Sequence, residues 1–141
     1  MTNSEYKGSY KLSVVNNVLV AEGTGVSSKK LAEQYASEFK SCARNLSEND
    51  WCQIVLLHNW VIGTPEIEPV FRKLSRWNIT HNLRATAFVC DENSLKRFQL
   101  ESMYMETPDY YHRGFFDNQE SAFKWLVSLG FVTGNLYETT S

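Results

Sequence analysis

The sequence predicts an α/β fold on a mixed five-stranded sheet, with elements in the order β-β-α-β-α-β-α-β-α. Three observations predict it: a hairpin signal near the start, short apolar runs alternating with helical apolar stripes from Ser27 onward, and a closing segment, Tyr110 to Leu126, that reads as strand, corner and capped helix. Strands separated by helices pair in parallel through crossovers that are right-handed in nearly all proteins. The second to fifth strands are therefore parallel, and the first is antiparallel at one edge.

Tyr10 to Val15 and Val18 to Glu22 flank Asn16-Asn17, and asparagine tolerates the positive φ that a type I′ turn needs at both central positions. After Gly23-Thr24-Gly25, Leu31, Tyr35, Phe39, Cys42 and Leu46 recur at helical spacing, with Ser27 or Ser28 able to cap the helix. Ile54 to Leu57 is a short, β-branched apolar run of the kind found in a strand buried on both faces. Thr64-Pro65 reads as N-cap and first residue of a second helix with the stripe Ile67, Val70, Phe71, Leu74 and Trp77.

Ala85 to Cys90 supplies the next strand, and Ser94 to about Met105 the next helix. Pro108 ends that region, and Tyr110 to Phe116 is polar enough for an edge strand. Asp117 and Glu120 have capping-box spacing for the last helix, whose stripe is Ala122, Trp125, Leu126 and Leu129 and whose end is Gly130. The folded unit is expected over residues 10–131, between a flexible stretch 1–9 and a loose tail 132–141.

A chain of 141 residues is the size of one ordinary domain, able to bury roughly two-thirds of the surface its unfolded form exposes. Its apolar runs are far too short for a membrane span, and Met1 to Gly8 lacks the apolar core of a secretory signal, so a cytoplasmic location is expected. Fourteen basic against sixteen acidic residues, dispersed along the chain, disfavour a nucleic-acid partner, whose phosphates call for clustered cations. Cys42, Cys52 and Cys90 are odd in number and widely spaced, which signals buried thiols and neither a disulfide framework nor a zinc site. His58, His81 and His112 lie on separate elements without metal-ligand spacing, so no metal and no cofactor are expected.

The ending Phe115-Phe116-Asp117-Asn118-Gln119-Glu120-Ser121-Ala122-Phe123-Lys124-Trp125-Leu126, with the opening hairpin and the order of elements, resembles the SpoIIAA-like family. That family is related to the STAS domains of anti-sigma-factor antagonists and, at fold level, to the CRAL-TRIO lipid carriers. The resemblance runs from about Tyr10 to Gly130 and implies sequential strand order with helices mainly on one face. One departure matters. The antagonists carry an Asp-x-Ser-Gly-like loop whose serine a partner kinase phosphorylates, whereas the matching stretch here is His58-Asn59-Trp60-Val61-Ile62-Gly63-Thr64-Pro65. Thr64 is the one hydroxyl in that loop and the single candidate for such a modification.

Open parallel sheets bind ligands beyond the carboxyl ends of their strands, where loops enter helices. Gly25, His58, Asn59, Thr64, Asp91 and Asp117 fall on that edge. His58 and Asp91, ending successive strands, could form an oriented base with Thr64 or Cys90 as nucleophile; equally, each of these residue types is favoured at helix entrances for structural reasons alone. Gly23-Thr24-Gly25-Val26-Ser27-Ser28 resembles the start of a dinucleotide-binding turn but lacks its third glycine and the acid ending the next strand. Met103, Tyr104, Tyr110 and Phe115 make an aromatic and Met-rich region that suits core packing, an apolar pocket or an interface.

Three functions follow as expectations. The first is a non-enzymatic regulatory or protein-interaction domain with a protein partner or a homodimer. The second is a small carrier of an apolar or lipid-like ligand, and the third an enzyme using His58 and Asp91.

Overall fold

In the computed structural model, residues 8–61, 65–91, 95–103 and 107–131 are described. The elements are β1 (Ser9–Val15), β2 (Val18–Val26), α1 (Lys29–Arg44), β3 (Trp51–Leu56), β4 (Trp60–Val61), α2 (Ile67–Thr80), β5 (Leu83–Val89), α3 (Leu95–Met103), β6 (His112–Phe116) and α4 (Gln119–Ser128). The sheet order is β1-β2-β3-β5-β6, with β4 pairing separately on β2. β1 is antiparallel to β2, and every other pairing is parallel.

Alternation along the strands divides the core in two. Val18, Cys52, Ile54, Ala85, Ala87 and Val89 point to one face and meet Ala122, Phe123 and Leu126 of α4. On the other face, Leu19, Ala21, Val55 and Phe88 are covered by α1, α2 and α3 through residues such as Ala32, Phe39, Ile67, Leu74 and Leu100. Three helices therefore lie on one face and α4 alone on the other. β3 and β5 are covered on both sides, which explains why their sequences are nearly continuous apolar runs.

Several local details differ from the sequence expectations for identifiable reasons. Asn16 adopts φ +54°, but Asn17 stays out of the left-handed region, so the hairpin turn is not type I′. β2 extends through Gly23-Thr24-Gly25: Ser9 pairs with Thr24, and Gly25 with Trp60. These glycines belong to a strand, which removes the dinucleotide-turn reading; a Cβ on Gly23 would come within 3.0 Å of the Trp60 ring, so the glycine gives the indole its place.

Helix α2 starts at Ile67 and not at Pro65, with Glu66 at the cap position and no side-chain cap. Pro69 sets this start. A proline lacks the amide hydrogen that an interior helical position must donate, and a start at Ile67 keeps Pro69 in the first turn, where no donor is required. Thr64, the expected cap, lies outside the described residues. At the last helix the cap is Asn118 and not Asp117: Asn118 is extended and its Oδ1 accepts from the Ser121 amide at 2.8 Å. Glu120 then falls one position too early for a capping box and faces Lys124 at 3.7 Å. The last strand begins at His112, because the Tyr111 amide turns back to the Pro108 carbonyl at 3.1 Å.

Other signals hold. Ser28 caps α1 by accepting from the Leu31 amide at 3.2 Å. Gly130 takes φ +100° and closes α4: its amide donates to Val127 O and that of Phe131 to Leu126 O, the pair of bonds that defines a Schellman motif. In α4, Phe123 is buried while Leu129 is 36% exposed, so the inward stripe is rotated toward Phe123.

Burial has an electrostatic consequence. Desolvation pushes the Cys52 thiol up to about 12 from an ordinary 9.0, and the Tyr111 phenol up to about 12 from 10.0, despite hydrogen bonding to Thr86 that works the other way. Both groups are neutral when protonated, and both folded values lie above the unfolded ones. Their stabilisation is therefore intact below pH 9 and disappears as pH rises toward 12. The urea midpoint should be flat from pH 7 to about 8.5 and fall steadily above it, with Cys52→Ala removing part of the fall. The cap assignment makes a second prediction. Asn118→Ala should lower stability by about 1 kcal/mol in urea titration, whereas Asp117→Ala should cost at most a few tenths.

Candidate functional site

The parallel strands end together, so their loops converge on one edge. Backbone hydrogen bonds continue beyond the strands: Leu57 N donates to Val89 O at 2.9 Å, Cys90 N to Phe116 O at 3.0 Å and Gly25 N to Asn59 O at 2.8 Å. Gly25 has φ +71°, the left-handed region that favours glycine. His58, two residues past β3, then reaches across two neighbouring strand ends. Its Nδ1 lies 3.1 Å from Asp91 Oδ1, and its Nε2 lies 2.9 Å from the Asp117 backbone carbonyl.

A carbonyl oxygen can only accept, so Nε2 carries a proton and donates. Nδ1 faces the Asp91 carboxylate, so both ring nitrogens are engaged with the protein. Distance alone would admit His58 and Asp91 as an oriented base, but a general base needs its lone pair within reach of a substrate proton. His58 is a brace that ties the ends of β3, β5 and β6. Beside it is a groove of about 310 Å³ whose lining includes Glu22, His58, Asn59, Asp117 and Asn118.

The edge thus gathers Gly25, His58, Asn59, Asp91 and Asp117, with Asp117 contributing its backbone. Cys90 is 1% exposed and closed to a substrate. Among the described residues no group of three His, Cys, Asp or Glu side chains is arranged to hold a metal ion, and no helix is long and apolar enough to cross a membrane. The aromatic region disperses. Tyr110 is exposed beneath the Arg84 guanidinium at 4.5 Å, and Phe115 stacks on Phe88 at 5.1 Å with Arg97 5.0 Å from its ring centre. The Met103 side chain and Tyr104 lie outside the described residues.

The sequence reading missed an apolar pair at this edge. Val26 and Val61 are neighbours across the β2–β4 pairing and are 41% and 52% exposed. A two-residue strand has no periodicity to reveal it, and Trp60 beside it is buried.

An uncharacterised protein of the DUF3478 family with a SpoIIAA-like fold, from Shewanella loihica PV-4, superposes with a TM-score of 0.67 at 13% identity, covering 89% of this chain and 98% of the other. The fold is SpoIIAA-like. An anti-sigma factor antagonist from Mycobacterium paratuberculosis is similar as well, with a TM-score of 0.60 at 9% identity over 88% of this chain and 97% of its own. No family model and no curated protein matches the sequence. The SpoIIAA-like fold agrees with the sequence resemblance, and β4 adds a sixth, two-residue strand to the five expected.

The brace is half exposed, with side-chain exposures of 43% for His58 and 69% for Asp91, so its contribution is that of a surface pair, about 0–1 kcal/mol. His58→Ala should lower the urea midpoint slightly, by no more than about 1 kcal/mol of stability.

Proposed function

We propose that the carboxyl edge of this SpoIIAA-like domain is a docking surface for a protein partner, and that the chain works as a non-enzymatic regulatory module. The observation that carries the reading is the exposed pair Val26 and Val61 set on hydrogen-bonded strands beside the His58 brace. Apolar side chains on a fixed backbone, with the Asn59 carbonyl tied to β2 through the Gly25 amide, make the type of surface that a partner can cover at little ordering cost. The engagement of both His58 nitrogens supports binding over chemistry. The likeness to an anti-sigma factor antagonist supports it at the level of fold.

A second copy of this chain is one such partner. The stretch 58–65 lacks the Asp-x-Ser-Gly sequence of the antagonists, so any phosphorylation control at this loop falls to Thr64. The same reading sets the protein in the cytoplasm.

A photocrosslinking amino acid at position 61 tests the surface. It should give a discrete protein adduct, or a homodimer confirmed by light scattering, whereas the same group at Val127, which is equally exposed, should not. The pair Val26→Asp and Val61→Asp should abolish association in the otherwise unmodified chain while leaving its melting temperature within a few degrees. Equal labelling from positions 61 and 127, or a chain that stays monomeric without any discrete adduct, would refute the reading. Radiolabelled phosphate retained by Thr64→Ala would remove the assignment of that residue.

A further inference from the structure

Between the sheet and helices α1 to α3 lies a cavity of about 70 Å³, on the opposite face of the sheet from α4, with Trp60 of β4, next to Val61 of the docking edge, in its wall. Its walls are largely apolar and include Tyr35, Trp60, Phe71 and Phe88. The rings hold one another in place, Phe71 meeting Tyr35 edge-on at 5.9 Å and Trp60 likewise at 5.9 Å. Ser9, which is exposed, and Tyr10 also border the cavity.

The cavity has a polar floor. Gln53, on the central strand β3, donates through Nε2 to Thr86 Oγ1 at 3.0 Å, and the same hydroxyl receives the Tyr111 phenol at 2.7 Å. Asn78 of α2 lines the cavity as well. It is 2% exposed, and its carboxamide oxygen has no hydrogen-bond partner. A buried acceptor without a donor costs free energy comparable to a lost hydrogen bond, and native interiors rarely leave one unless something else supplies the donor. The helix carrying Asn78 could have placed an apolar side chain there at no such cost.

We infer that the cavity is a binding site for a small neutral amphipathic molecule, such as an alcohol or primary amide, whose polar head donates to the Asn78 carboxamide while its apolar body lies among the aromatic walls. Three observations define this class. No Asp, Glu, Lys, Arg or His lines the cavity among the described residues, so an ionised head would be desolvated without a counter-charge. The Tyr111 phenol, pushed up to about 12, stays neutral at physiological pH. The volume is about half of a ~150 Å³ cavity that accepts benzene, so it suits a head group and a thin chain better than a bulky ring.

The test titrates the isotopically labelled full chain with 1-hexanol and, separately, with hexanoate at pH 7, reading side-chain carboxamide and indole signals by NMR. Hexanol should shift the signals of Gln53, Asn78 and Trp60 saturably, and hexanoate should bind at least tenfold more weakly. Asn78→Leu should weaken hexanol about fivefold, the loss expected for one hydrogen bond. Ala21→Leu, which adds bulk at a buried residue lining the cavity, should abolish binding, and it serves alone if Asn78→Leu fails to fold. Equal affinity for hexanoate, unchanged affinity in Asn78→Leu, or binding that persists in Ala21→Leu overturns the inference. So does a spectrum unmoved by hexanol up to its solubility, the result expected if water alone fills the cavity.

Discussion

The parallel pairing of β3 with β5 is the constraint on which the rest of the molecule depends. Both strands are covered on both faces, so their backbone groups have no water to turn to and must be satisfied by neighbouring strands. Side chains on one face must suit α4 while their neighbours suit α1 to α3. Ala85 and Ala87 leave room on the first face for Phe123 and Leu126; on the second, Leu19, Val55 and Phe88 build the thicker layer that three helices share. A slip of one residue in β5 would exchange the small and large sets and lose both layers at once.

The same pairing determines where the chain can recognise other molecules. Parallel strands held in one register bring their carboxyl ends, and with them the loops, to a single side. Hydrogen bonds beyond the strands and the His58 contacts then hold those loops to the scaffold, so the edge is an extension of the sheet. The inner cavity has a different origin. Gln53 and Thr86 occupy positions in the most buried strands where apolar residues would be expected, and their mutual hydrogen bonding with Tyr111 makes that tolerable.

Much of this was legible in the amino-acid order because it rests on local chemistry or simple periodicity. Ser28, Gly130, the β-branched run at Ile54 and the helical stripes each act through neighbours only a few residues away. His58 and Asp91 could be matched because each follows one of two adjacent strands. The cap of α4 was misread by one residue because Asp117 and Asn118 are both good caps, and only backbone geometry selects between them. The start of α2 was readable in principle from Pro69, but Thr64-Pro65 imitates a helix entrance more strongly. Nothing local could disclose β4, which exists through its pairing with β2, or the meeting of Gln53, Thr86 and Tyr111. Those contacts join three separate strands and turns of the chain, and a polar residue in an apolar run carries no mark of the partner it will find.

The opening hairpin has a consequence for how the molecule assembles. β1 and β2 meet across a two-residue turn, so their contacts form at small entropic cost, whereas Val18 must find Cys52, and Cys52 must find Ala85, across roughly thirty residues each. The hairpin is thus the pairing with the smallest loop to close, and the crossovers carry most of the loop-closure cost of the sheet.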